Sequence, residues 1–142
     1  MRKVTGLQCI LLVDDDETTN FIHARLIKKA DLNVHLQVTN GGREALEYLT
    51  HSGKFAETSP QPQPGIIFLD LNMPGMNGWN FLEEYRKLPK DEPQKQIVVI
   101  LTTSMNPDDQ QHAKHIPEVA GFIHKPLLPE NLNDIINRYF EN

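Results

Sequence analysis

The sequence predicts an α/β fold in which five short parallel strands alternate with five helices, a (βα)5 chain. Three observations carry this. Four apolar runs, Ile10-Leu11-Leu12-Val13, Ile66-Ile67-Phe68-Leu69, Ile97-Val98-Val99-Ile100-Leu101 and Gly121-Phe122-Ile123, are short enough for buried strands. A fifth segment, Val34-His35-Leu36-Gln37-Val38, alternates apolar and polar residues, the mark of an edge strand with one wet face. Between the five lie stretches with apolar residues at helical spacing.

The first strand is expected over Cys9–Val13, followed by a helix from about Glu17–Thr19 with Ile22, Leu26 and Ala30 on its inner face. The alternating segment is the second strand. The second helix runs from about Gly42 to Thr50, with Ala45, Leu46 and Leu49 inward. The polar stretch His51 to Pro64 holds Pro60, Pro62 and Pro64 and reads as an extended surface loop. The third strand delivers Asp70. The third helix, from about Gly78 to Leu88, buries Trp79, Leu82 and Tyr85, and a loop bounded by Pro89 and Pro93 leads to the fourth strand. Asn106-Pro107 combines a side-chain cap with a first-turn proline and starts the fourth helix. That helix has little apolar content, Ala113 and Ile116, and is expected to be the weakest. A short fifth strand precedes a helix over about Pro129 to Phe140 that presents Leu132, Ile135, Ile136 and Tyr139.

With the second strand alternating and the first, third and fourth almost wholly apolar, the economical sheet order is 2-1-3-4-5, with helices on both faces. That is the flavodoxin-like order, and ligands of such sheets bind at the carboxyl ends of the strands. Those ends carry Asp14 and Asp15, Asp70, Thr102 and Lys125. Each has a bland explanation alone. The Asp14–Glu17 run could serve a helix dipole, Asp70 a turn, Thr102 a strand and Lys125 the surface. At a shared edge they form a chemical set. Three close carboxylates repel one another unless a cation intervenes, and magnesium takes hard oxygen ligands. A carboxylate such as Asp70 is a competent phosphoryl acceptor, giving an acyl phosphate. Lys125 and the metal would supply charge around the phosphoryl oxygens, and Thr102 a hydroxyl.

The segments Leu12-Val13-Asp14-Asp15, Asp70-Leu71-Asn72-Met73-Pro74-Gly75-Met76-Asn77-Gly78, Leu101-Thr102 and Lys125-Pro126, in this order and spacing, resemble the response-regulator receiver domain of two-component signalling. The resemblance covers nearly the whole chain, from the first strand to the fifth helix. It implies that Asp70 is the phosphorylation site. It also implies that Asp15, Asp70 and the backbone carbonyl of Asn72 bind Mg2+ directly, with Asp14 acting through water. Thr102 and Lys125 would hold the phosphoryl oxygens, and Thr102 with Phe122 would form the switch, remodelling the surface of the fourth helix, fifth strand and fifth helix. A cis bond at Lys125-Pro126 is a candidate. The chain departs from the family at Thr103, where a smaller residue is usual, and in its long His51–Pro64 loop.

On this reading residues 1–142 form a single receiver domain, core about 7–141, with no output domain, and the chain catalyses only its own phosphorylation and dephosphorylation. The implied donor is a sensor histidine kinase or a phosphotransfer protein, and the downstream target is another protein. A phosphoryl shuttle within a phosphorelay is an alternative. A haloacid-dehalogenase-like phosphatase with Asp14 as nucleophile is a rival, because Asp14-Asp15-Asp16-Glu17-Thr18 fits D-x-D-x-T. It leaves Asp70 unexplained. A flavin module would need a phosphate loop where aspartates stand. Net charge of −5 argues against nucleic-acid binding through a basic surface. No apolar stretch is long enough to span a membrane, the basic N-terminus makes a poor signal peptide, and the single Cys9 allows no internal disulfide. A bacterial, cytoplasmic protein, monomeric or dimerising on phosphorylation, is expected. His112 and His115 are read as a solvated helix face.

Overall fold

The computed structural model describes residues 2–89 and 95–140. The elements are β1 (Cys9–Val13), α1 (Glu17–Lys29), β2 (His35–Thr39), α2 (Gly42–Thr50), β3 (Ile66–Leu69), α3 (Gly78–Lys87), β4 (Ile97–Thr102), α4 (Pro107–Lys114), β5 (Val119–His124) and α5 (Pro129–Tyr139). All five strands are parallel, in the order β2-β1-β3-β4-β5. Of the expected Pro89–Pro93 loop, residues 90–93 lie outside the described residues, as does residue 141 of the expected core.

Alternation along the central strands divides the core. Ile10, Leu12, Phe68, Val99 and Leu101 face one way and pack with Ile27 of α1 and Leu132 and Ile136 of α5. Leu11, Val13, Ile67, Leu69 and Val98 face the other way, against Ala45 and Tyr48 of α2 and Phe81, Leu82 and Tyr85 of α3. Each fully buried large apolar side chain contributes about 1.5–3 kcal/mol, so a sheet buried on both faces holds its strand ends rigidly. That rigidity positions the site.

Several expectations are corrected. The buried residues of α1 are Asn20, His23 and Ile27; of the expected inner face, Leu26 and Ala30 are partly buried against the core, while Ile22 is 50% exposed. The helix turns two polar side chains inward because both find buried partners: Asn20 donates to the Asp14 carbonyl (2.8 Å), and the Leu127 N–H donates to His23 Nε2 (3.2 Å). The core also starts earlier than expected, since Val4 is buried and Arg2 bridges to Leu32. Trp79 is half-buried rather than buried, and the fully buried ring on α3 is Phe81. β5 is as long as β4, six residues each. The His51–Pro64 segment is not simply extended: Gly53–Phe55 forms a 3-10 turn.

Other local expectations are met. Asn106 caps α4 by accepting from the Asp108 N–H (3.0 Å), with proline at the first turn. The one buried residue of α4 is Ala113. The Lys125-Pro126 bond is cis. His112 and His115 are exposed, yet the His112 ring stacks on Trp79 of α3, centroids 4.0 Å apart at 23°.

Candidate functional site

Each site residue stands at or just past a strand end. Asp14 and Asp15 follow β1, Asp70 follows β3, Thr102 closes β4 and Lys125 follows β5. Backbone bonds continue the ladder into these positions: Asp14 N–H to the Thr39 carbonyl (3.3 Å), Asp70 N–H to Val13 (2.9 Å), and Lys125 N–H to Thr102 (2.9 Å). Asp14, Asp70 and Lys125 are therefore held by the sheet itself, while Asp15 stands one residue further out in the bend before α1.

Carboxylate oxygens of Asp14, Asp15 and Asp70 all lie within 4.8 Å of one another. Asp14 and Asp70 are each 5% exposed, whereas Asp15 opens to solvent. Lys125 reaches into the cluster, its Nζ 2.6 Å from Asp14 Oδ2 and 3.3 Å from Asp70 Oδ1. Burial alone would lower the Lys125 pKa, but the hydrogen bond and charge of Asp14, joined by those of Asp70, hold it above the usual lysine range. The ammonium is thus a fixed positive charge. Burial, and then the Asp14 charge, push the Asp70 carboxyl above the usual range, with Lys125 opposing them. A second cation would relieve that repulsion. The donor set, all carboxylate oxygen with one member open to water, fits a hard divalent ion such as magnesium.

The remaining residues frame this cluster. Asp14 Oδ1 accepts from the Asp16 N–H (2.9 Å), so both its carboxylate oxygens are engaged. Asp70 Oδ1 accepts from Lys125 and, weakly, from the Asn72 N–H (3.4 Å). Thr102 is fully buried, and its hydroxyl oxygen accepts from the Ser104 N–H (3.1 Å). Ser104 in turn donates to Asp109 of α4 (2.5 Å). Phe122, opposite Ile100 in the sheet, is half-buried against Leu71, Ile100 and Ala113. The β3–α3 loop ends in a reciprocal cap between Asn77 and Asn80.

Two residues around the site escaped sequence reasoning. Asn20 pins the Asp14 carbonyl, and His23 anchors Leu127 just past Lys125. With Ile27 they sit at spacings of three and four, so the helical stripe was there to find, masked by its polar members.

The family model for the response regulator receiver domain matches residues 10–137. Response regulator Rcp1 of Synechocystis sp. is 32% identical over 100 residues, 70% of this chain and 65% of Rcp1. Chemotaxis protein CheY of Thermotoga maritima is 31% identical over 133 residues, 91% of this chain and 94% of CheY. Other matched relatives are much longer, and the chain spans as little as 14% of their length. Among solved structures, a two-component response regulator from Cytophaga hutchinsonii superposes with a TM-score of 0.79 at 30% identity, covering 93% of this chain and 96% of that one. The Mn(2+)-bound form of Rcp1 superposes with a TM-score of 0.71 at 27% identity, covering 92% of this chain and 90% of that one. With the predicted sheet order found and the match running from β1 into α5, the chain belongs to the response-regulator receiver domains, the phosphoryl-accepting signalling modules of two-component systems.

Proposed function

We propose that Asp70 accepts a phosphoryl group from a phosphohistidine on a sensor histidine kinase or phosphotransfer protein. The observation that carries this reading is the convergence of Asp14, Asp15, Asp70 and Lys125 at one sheet edge. Asp70 is favoured over Asp14 as the nucleophile because both Asp14 oxygens are engaged, while Asp70 Oδ2 makes no hydrogen bond or ion pair among the described residues. The rival phosphatase reading, which needs Asp14 free, is disfavoured on the same ground.

In this reading an Asp70 oxygen attacks phosphorus, the Oδ–P bond forms, and the P–N bond to the donor imidazole breaks. The imidazole leaves with the bonding pair and takes up a proton. Asp15, Asp70 and the Asn72 carbonyl would hold Mg2+ directly, with Asp14 acting through water. Bound there, the ion would supply positive charge to the phosphoryl oxygens. Lys125 adds its ammonium to one of those oxygens. Thr102 turns its hydroxyl from the Ser104 loop toward another, and Phe122 moves into the space this leaves. The α4–β5–α5 surface then presents a changed face to a downstream protein. The thin apolar contact of α4 suits a movable element. The chain is read as a single receiver domain that catalyses only its own phosphorylation and dephosphorylation. A cytoplasmic location fits this role, and among the described residues no helix is long and apolar enough to cross a membrane.

The test is incubation with acetyl phosphate and Mg2+, followed by intact-mass measurement. Wild type is expected to gain one phosphoryl group, lost on adding EDTA before the donor, and Asp70→Asn to gain none. Phosphate mapped to Asp14, or full labelling of Asp70→Asn, overturns the assignment.

A further inference from the structure

The geometry points to a second binding site, beneath the α2–β3 segment, for a neutral planar heteroaromatic of the purine-base class. The segment is built rather than loose. The 3-10 turn sets the Phe55 ring edge-on to Tyr48, centroids 5.2 Å apart at 86°. Tyr48 in turn lies nearly parallel to His35 of the edge strand β2, at 6.4 Å and 15°. Three hydrogen bonds fasten the rest of the segment: His51 Nε2 with the Thr58 carbonyl (2.8 Å), the Tyr48 hydroxyl to the Pro62 carbonyl (3.4 Å), and Gln63 Nε2 to the Leu49 carbonyl (3.3 Å).

Together these groups close a cavity of about 280 Å³ against the edge of the sheet. Its lining holds four aromatic rings, those of His35, Tyr48, His51 and Phe55, and no aspartate, glutamate, lysine or arginine. The nearby Lys54 and Glu44 pair with each other (2.6 Å) and are not part of the wall. The lining therefore holds no permanently charged side chain to pair with an ammonium or a phosphate, and its two imidazoles are engaged, His35 with Gln37 Oε1 (3.2 Å) and His51 with the Thr58 carbonyl (2.8 Å). The polar wall holds three primary amides, Gln37, Gln61 and Gln63, beside the hydroxyls of Thr58 and Ser59. The Gln61 amide makes no hydrogen bond among the described residues, so both its donor and its acceptor are available. Rings to stack on, amides to read an edge and no net charge together describe a site for a nucleobase. The volume falls just below the ~300–1,000 Å³ usual for ligand sites, the size for a base or nucleoside and too small for a dinucleotide. None of Asp14, Asp15, Asp70, Thr102 or Lys125 lines it, so the site is separate from the phosphoryl mouth.

The test is amide NMR of the full chain titrated with adenosine, guanosine and their 5′-monophosphates. At least one nucleoside is expected to cause saturable shifts at Tyr48, Phe55 and Gln61, with a Kd of about 1 mM or tighter. Its monophosphate should bind within about twofold, because the phosphate is not recognised. Phe55→Ala and Gln61→Ala, both at the rim and checked for an unchanged fold in the same spectra, should each weaken binding about tenfold. Absence of shifts at about 10 mM of either nucleoside overturns the proposal. So do shifts centred on Asp14 and Lys125, binding of the monophosphates alone, or unchanged affinity in both variants.

Discussion

Replacing Gly78 by alanine measures how tightly the acceptor aspartate is tied to the helix behind it. Gly78 opens α3, and its N–H donates to the Leu71 carbonyl (2.9 Å). A Cβ at this position would lie 2.7 Å from the Asp70 carbonyl oxygen and 2.8 Å from Leu71 Cα, where ordinary contact begins at 3.4 Å. Both obstacles are backbone and cannot rotate away. Alanine favours a helix over glycine by about 1 kcal/mol in the interior and by less in the first turn. Overpacking of this kind costs about 1–3 kcal/mol. The clash therefore wins, with a net loss of about 1–2 kcal/mol. For a domain of this size that lowers Tm by about 3–10 °C. Because the displaced atoms carry the Asp70 side chain, acceptance of phosphoryl from acetyl phosphate should slow by about tenfold or more. Thermal unfolding by circular dichroism and a mass-resolved phosphorylation time course give the two readouts. Gly41→Ala, where the added Cβ meets nothing within 4 Å, is the control. A Gly78→Ala protein with wild-type Tm and wild-type rate would refute the claim that this contact sets the position of Asp70.

Three further outcomes follow from the same geometry. Thr102→Ala removes the buried oxygen that accepts from Ser104 and should cost about 1 kcal/mol; it should keep Asp70 phosphorylation yet lose the phosphorylation-induced amide shifts at Phe122 and α4, and retention of those shifts would break the proposed coupling. Lys125→Met leaves Asp14 and Asp70 facing each other without their shared ammonium. It should destabilise the metal-free protein by about 2–4 kcal/mol, with Mg2+ restoring more stability than it adds to wild type; denaturant titrations with and without EDTA decide. His23 is held below the ordinary histidine range by burial and then by the Lys125 charge. The unfolded chain takes up that proton near pH 6.5 while the folded one resists, so stability should fall as pH drops from about 6.5 toward the depressed native value. His23→Gln should flatten that slope between about pH 7 and 5, and an unchanged slope would assign it elsewhere.

Much of this protein was legible in its linear order. The fold could be read because each apolar run is short, each is followed by helical periodicity, and only β2 alternates, which places it at the edge. The convergence of Asp14, Asp15, Asp70 and Lys125 could be read because β-strands of a parallel sheet all end on one side, so a polar residue after an apolar run has a known destination. Caps such as Asn106-Pro107 are local and survive any tertiary context. The face of α1 is different. Apolarity alone points Ile22 inward, yet Asn20 and His23 take that place because their partners, the Asp14 carbonyl and the Leu127 N–H, lie in the β1–α1 and β5–α5 connections. His23 and Leu127 are 104 residues apart in sequence. The closing of the His51–Pro64 segment over Tyr48 is of the same kind, since the ring it covers belongs to another element.

The sequence alone thus determined which chemical groups meet at the mouth, because strand direction and periodicity are set by neighbours along the chain. Only the tertiary structure decided how those groups pair, with Lys125 nearer Asp14 than Asp70 and Thr102 held by its own loop. Pairing depends on distances of a few tenths of an ångström between side chains from different strands, and no local pattern encodes those.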